Sequence, residues 1–123
     1  SRTNTGWINM KLEYSELKDG IRLIRLEGRL DLNGTYSIEV QFVNRCAGDG
    51  VRVIVDLSGV DYVSSVGIPM LVNTAKSVVS RGGKMVFVSP QENVVKVLEL
   101  VGVLQVIPIY DDQKAAIRGF AIA

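Results

Sequence analysis

The chain of 123 residues contains no histidine and a single cysteine. Without histidine, Ser-His-Asp and Cys-His catalysis are excluded within this chain, and the commonest metal ligand and usual general base are missing. Cys46 alone makes neither an intramolecular disulfide nor a cysteine-type zinc site. A reducing, cytoplasmic location fits that usage. Net charge is scarce too: 14 basic against 13 acidic residues leave +1. No basic stripe therefore marks the chain for nucleic acid. No apolar run approaches the roughly 20 residues of a membrane span. The opening S-R-T-N-T-G-W-I-N lacks the apolar centre of a signal peptide. No Walker loop exists, because Gly83-Lys84 has Val78 where G-x-x-x-x-G-K needs glycine. Ser64 and Ser65 follow a strand, as in a nucleophile elbow, but position 63 is valine and no histidine could complete a triad. No cofactor or metal is expected, and the chain reads as a non-enzyme.

What remains is a mixture suited to one folded domain, with 47% hydrophobic and 22% charged residues. Residues 1–9 are polar and aperiodic around Trp7, which marks them as a flexible N-terminal extension or cloning remnant before a domain over 10–123. Alternation predicts strands over Met10–Tyr14 and Ile21–Leu26, joined by a turn at Lys18–Gly20. Gly28 and Gly34 then punctuate a loop in which Asp31 or Asn33 caps the next helix. That helix spans Thr35–Ala47, with Ile38, Phe42, Val43 and Cys46 inward. Val51–Leu57 is β-branched and apolar, as a buried central strand requires.

A second helix is expected from near Ser65 to Ser80, with Pro69 in its first turn. Its apolar stripe is Ile68, Leu71, Val72, Ala75, Val78 and Val79; Asn73, Thr74, Lys76 and Ser77 form the open face. Lys84–Val88 is another buried strand. Ser89-Pro90-Gln91-Glu92 reads as a capping box with proline at the first helical position. The short helix after it turns Val94, Val95, Leu98 and Val101 inward. Val103–Ile109 follows as a strand or extended segment, and Asp111 caps a final helix. The order β-β-α-β-α-β-α-β-α predicts a single α/β domain: a mixed sheet of about four to five strands with about four helices packed against it.

The run V-I-V-D-L-S-G-V-D-Y-V-S-S-V-G-I, residues 53–68, carries the functional signal. A buried strand leaves at Asp56-Leu57, and two serines arrive at a helix N-terminus. Free backbone N–H groups and the positive helix end favour an anion there, including a phosphate on a serine hydroxyl. The plain alternative is that these serines only cap the helix.

With L-E-G-R-L-D (26–31), G-G-K-M-V-F-V (82–88) and V-K-V-L-E-L-V-G-V (95–103), this run resembles the STAS domain family. Within it, the likeness is to the bacterial anti-sigma factor antagonists, from Met10 to about Ile117. Placing Gly67 on the glycine of the family's D-S-S-G or D-S-T-G motif puts Ser65 on the phosphoacceptor. Ser64 falls where the family often has aspartate, Val66 where it often has serine or threonine, and Pro69 where it has a small or basic residue. Asp31 matches a family aspartate close to the phosphoacceptor.

The resemblance implies partner switching. The unphosphorylated antagonist captures an anti-sigma factor that is also a serine kinase; phosphorylation of Ser65 ends the capture, and a PP2C-type phosphatase restores it. Asp31, Asn33, Ser64, Ser65, Val66, Gly67 and Ile68 would form the partner-binding face, with neither nucleic acid nor membrane as partner. Two alternatives remain: a non-phosphorylated STAS scaffold or regulatory subunit of a signalling or transport complex, and a sensor holding a nucleotide or lipid beside Ser65. Oligomeric state is open.

Overall fold

The computed structural model describes residues 10–122. The extension expected over residues 1–9 lies outside the described residues. The elements, in chain order, are β1 (Met10–Glu16), β2 (Arg22–Leu30), α1 (Leu32–Arg45), β3 (Arg52–Val63), α2 (Gly67–Ser80), β4 (Lys84–Val88), α3 (Glu92–Leu100), β5 (Ile109–Tyr110) and α4 (Gln113–Ile122). The strands form one sheet in the order β1-β2-β3-β4-β5, with β1 antiparallel to β2 and the other pairs parallel. The β1–β2 hairpin closes through a short 3-10 turn at Lys18–Gly20, where Asp19 (φ 65°) and Gly20 (φ 76°) take left-handed conformations.

Two clusters of buried side chains show how the layers pack. On one face, Ile24, Leu26, Val53, Val55, Leu57 and Phe87 meet Ile38 and Phe42 of α1, Leu71, Ala75 and Val78 of α2, and Val94 and Leu98 of α3. On the other face, Leu23, Ile54, Val86 and Val88 meet Ala116 and Phe120 of α4. The central strands are therefore apolar on both sides, as V-I-V and M-V-F-V predicted.

Several boundaries differ from the sequence reading, each for a local reason. β2 runs through Gly28 (φ 120°) to Leu30 rather than ending at Leu26. β3 continues through Ser58-Gly59 to Val63, where a loop was expected. Its pairing with β2 slips twice, between Arg25 and Glu27 and between Gly28 and Arg29, each time leaving an extra residue on β3. These bulges let Leu57, Val60 and Val63 all face the core, three residues apart instead of two. β4 pairs with β3 only as far as Asp56. Beyond it, amide side chains from the start of α3 replace the missing strand: Gln91 Nε2 donates to Ser58 O (2.9 Å) and Asn93 Nδ2 to Asp61 O (2.8 Å).

The capping box at Ser89 does not form. Ser89 turns left-handed (φ 57°), its Oγ donates to Asp111 O (2.9 Å), and Gln91 flanks α3 instead, leaving Pro90 outside the helix. Asp112, not Asp111, caps α4, its Oδ1 accepting from Ala115 N at 2.8 Å. Val103–Gln105 is a 3-10 turn, and only Ile109–Tyr110 joins the sheet. Val43, Val79 and Val101, expected inward, are exposed. Thr74, expected on the open face of α2, is buried; its Oγ1 donates to Met70 O (2.8 Å), which satisfies the hydroxyl within the helix.

Candidate functional site

Parallel strands β2 and β3 end side by side and each feeds a helix on the same face of the sheet. Two helix N-termini therefore sit together on one rim, each carrying the partial positive charge of a helix start. The hydrogen bond from Ser64 N to Leu30 O (2.9 Å) ties the two strand ends together.

The start of α1 is fixed by Asp31, whose Oδ1 accepts from Gly34 N at 2.8 Å; Asn33, the alternative cap, is exposed in the first turn. Gly34 is obligatory here: a Cβ would lie 2.0 Å from Arg29 O and 3.1 Å from Asp31 Oδ1. The other Asp31 oxygen, Oδ2, lies 3.7 Å from Arg29 Nε, and the Arg29 guanidinium stacks 4.3 Å from the centre of the Tyr62 ring.

The start of α2 separates the two serines. Ser64 Oγ accepts from Val66 N (3.1 Å) and Gly67 N (3.2 Å), and Ser64 O accepts from Ile68 N (3.2 Å). Ser64 thus performs the capping, although regular helix begins only at Gly67. Ser65 is exposed, and its hydroxyl makes no hydrogen bond among the described residues. Val66 and Ile68 are half-buried beside it. Gly67 is buried, and a Cβ there would lie 2.9 Å from Leu30 O and 3.0 Å from Leu30 Cβ. Glycine lets the α2 turn sit directly on the end of β2. Beneath it, the Thr35 hydroxyl is buried without a hydrogen-bond partner among the described residues.

The rim thus brings Asp31, Asn33, Ser64, Ser65, Val66, Gly67 and Ile68 to one end of the sheet. Two features were missed in the sequence. Arg29 and Tyr62 reach the rim because β2 and β3 run further than the hydrophobic pattern suggested. Leu32, Tyr36 and Val40 are exposed in a line along α1, with Tyr36 at 63% and Val40 at 74%. Their i, i+4, i+8 spacing was visible, but it lies outside the core-facing period that drew attention. The one cysteine is remote from this chemistry. Cys46 is buried at the end of α1, and burial pushes its thiol up to about 12 despite the opposing charges of Arg22 and Arg81. Among the described residues, no group of three or more cysteine, aspartate or glutamate side chains is arranged to hold a metal. No helix among them is long and apolar enough to cross a membrane.

Comparisons with known proteins agree with this fold. A Bordetella bronchiseptica protein, BtrV, provisionally named an anti-sigma factor antagonist, is 27% identical over 114 residues, covering 93% of this chain and 97% of its own. Among solved structures, an anti-sigma-factor antagonist (STAS) domain protein from Planctomyces limnophilus superposes with a TM-score of 0.80 at 21% identity, over 89% of this chain and 97% of that one. SpoIIAA, an anti-sigma factor antagonist solved in its unphosphorylated form, superposes with a TM-score of 0.72 at 17% identity, over 92% and 99%. It is a Bacillus cell fate determinant also solved phosphorylated, a form that superposes with a TM-score of 0.64 at 16% identity, over 88% of this chain and 98% of that one. The sequence pattern that defines the STAS domain matches residues 15–116. On that match across most of its length, joined to the α/β architecture, the chain belongs to the STAS domain family.

Proposed function

We propose that this protein is an anti-sigma factor antagonist that captures an anti-sigma serine kinase while Ser65 is unmodified and lets it go when that kinase phosphorylates Ser65. One observation carries the reading. Of two adjacent serines, Ser64 is consumed as a helix cap, while Ser65 presents an exposed hydroxyl, unbonded among the described residues, at the positive end of α2. BtrV, similar over nearly the whole chain, bears the corresponding name.

The chain supplies no catalysis in this scheme. It is substrate and ligand together, and a PP2C-type phosphatase resets it. The kinase transfers the γ-phosphoryl group of ATP to Ser65 Oγ; the bond to ADP breaks and the hydroxyl proton leaves to the kinase's own base. The product carries about −1.5 to −2 charge at neutral pH. Within the free chain, two helix N-termini accommodate that charge. Against a partner packed on Val66, Ile68 and the Asn33-Gly34 turn, it meets desolvation and steric conflict. A loss of roughly 2–4 kcal/mol weakens association about 30- to 1000-fold, enough for a switch without refolding. Leu32, Tyr36 and Val40, exposed from the rim along α1, give the docking face the aromatic and aliphatic surface on which interface energy concentrates. This work belongs in the cytoplasm, where such kinases and ATP are found.

The test is incubation with an anti-sigma-type serine kinase and ATP, followed by mapping of the modified residue. Phosphate on Ser65, absent after Ser65→Ala, is the expected result. Equal labelling of the Ser65→Ala protein overturns the assignment.

A further inference from the structure

The rim is short of positive charge. The stretches that build it, residues 26–44 and 58–75, contain one basic side chain, Arg29, against the acidic Glu27, Asp31, Glu39 and Asp61. Arg29 is held loosely. Its Nε lies 3.7 Å from Asp31 Oδ2, beyond hydrogen-bonding distance, and its side chain is 51% exposed. Its guanidinium rests on the Tyr62 ring, and Asp31 is already engaged through Oδ1 with Gly34 N. The backbone roots Arg29 close to Ser65. Leu30, the next residue after Arg29, accepts the hydrogen bond from Ser64, the residue before Ser65.

We propose that Arg29 receives the phosphate of phosphorylated Ser65 within the same chain, leaving Asp31 and uncovering Tyr62. This rests on the reading of Ser65 as phosphoacceptor. A phosphate dianion is a stronger partner for a guanidinium than one carboxylate, because it offers more charge and several acceptor oxygens in a geometry that suits the planar fork. The Arg29–Asp31 pair is partly open to solvent and too long for a hydrogen bond, so little opposes the exchange. The charged and titratable groups carried by the elements that meet at this rim are Glu27 and Arg29 near the end of β2, Asp31 in the loop after it, Asp61 and Tyr62 near the end of β3, and Glu92 at the start of α3. The opening turns of α1 and α2 add only the neutral Tyr36 before Glu39 and Lys76. With the acidic groups in excess, Arg29 is the one side chain of this set that can offset the new charge. Phosphorylation then alters the docking face twice: an anion is added at Ser65, and the cation covering Tyr62 is withdrawn.

The experiment uses the full chain with phosphoserine incorporated at position 65 during translation, and a phosphorus-31 titration of that group. A neighbouring cation favours the dianion and lowers the midpoint. Arg29→Gln is expected to raise the midpoint by about half a pH unit, roughly threefold in proton affinity. Arg29→Lys restores part of the shift. Arg25→Gln, which removes the same charge from further down β2 where Arg25 Nε pairs with Asp56 Oδ2 at 3.2 Å, moves it by less than half as much. Equal midpoints for the wild type and Arg29→Gln, or equal shifts for both glutamine variants, overturn the inference. Should Arg29→Gln not fold, the nitrogen-15 resonance of Arg29 Nε decides in the wild type: a change on phosphorylation supports the contact, and none refutes it. Because the phosphate is installed without a kinase, an unchanged titration counts against Arg29 alone. A kinase that leaves Ser65 unlabelled counts against the switch alone.

Discussion

Replacing Ser64 and Ser65 by alanine, one at a time, should give opposite phenotypes from adjacent residues. The Ser64 hydroxyl accepts from Val66 N and Gly67 N at 3.1 and 3.2 Å, so Ser64→Ala leaves two donors of the α2 start without their partner. Losing such a cap costs about 1 kcal/mol, and in a domain of this size that lowers the melting midpoint by roughly 4 °C. Ser65 is exposed and bonded to nothing among the described residues, so Ser65→Ala should stay within about 0.5 kcal/mol of the wild type. Urea unfolding followed by far-ultraviolet circular dichroism measures both. Kinase labelling should show the reverse order: Ser64→Ala is still labelled, and Ser65→Ala is not. A Ser65→Ala protein destabilised by 1 kcal/mol or more, beside an unaffected Ser64→Ala, would refute the assignment of cap and acceptor.

Gly34→Ala should destabilise by about 3 kcal/mol in the same assay, combining a Cβ 2.0 Å from Arg29 O with disturbance of the Asp31 cap. Gly102→Ala, where a Cβ meets open space at φ +73°, should cost only about 1 kcal/mol. Thr35→Val replaces a buried hydroxyl, unpartnered among the described residues, with a methyl of the same shape and should leave stability equal or higher by up to about 1 kcal/mol. Tyr36→Glu should weaken capture by the kinase at least tenfold in a titration calorimeter while leaving the unfolding midpoint unchanged. The Cys46 thiol, raised to about 12 by burial from an unfolded value of 9.0, retains its proton in the folded state after the unfolded chain has lost it. Stability from this group is therefore complete below pH 9.0 and lost as pH rises toward 12, at up to about 1.4 kcal/mol per pH unit. Denaturant midpoints measured from pH 8 to 11 should fall less steeply in Cys46→Ala.

The sequence made the layered architecture legible because hydrophobic periodicity reports which way a side chain faces. Val53–Val55 and Met85–Val88 are buried on both sides, and their continuous apolar runs said so. The first helix was readable from Ile38 and Phe42, and its cap from Asp31. Legibility failed where a local preference was overruled from a distance. Ser89-Pro90-Gln91-Glu92 has the composition of a capping box, yet Ser89 bonds the carbonyl of Asp111 across the fold. The end of β3 was invisible because V-D-L-S-G-V-D-Y-V obeys no period of two; two slips of register give it a period of three. For the candidate site, Ser65 and Asp31 were legible through the serine pair and the family likeness. Arg29 and Tyr62 were not, because their meeting depends on that slipped pairing.

The doubled slip in β3 also sets where this protein tolerates gains and losses of sequence. Each surplus residue rotates everything downstream by half a turn, so two together restore the original phase. Removing one from between Leu57 and Val63 would send the chain off the sheet toward α4 rather than toward α1, with the Ser65 turn on the wrong side. Removing both would shorten the strand but keep its exit on the correct side. Single-codon insertions and deletions should therefore be purged from this segment yet accepted at the exposed tips around Gly50 and Gly82, giving a length-parity rule that a deep mutational library can read out directly.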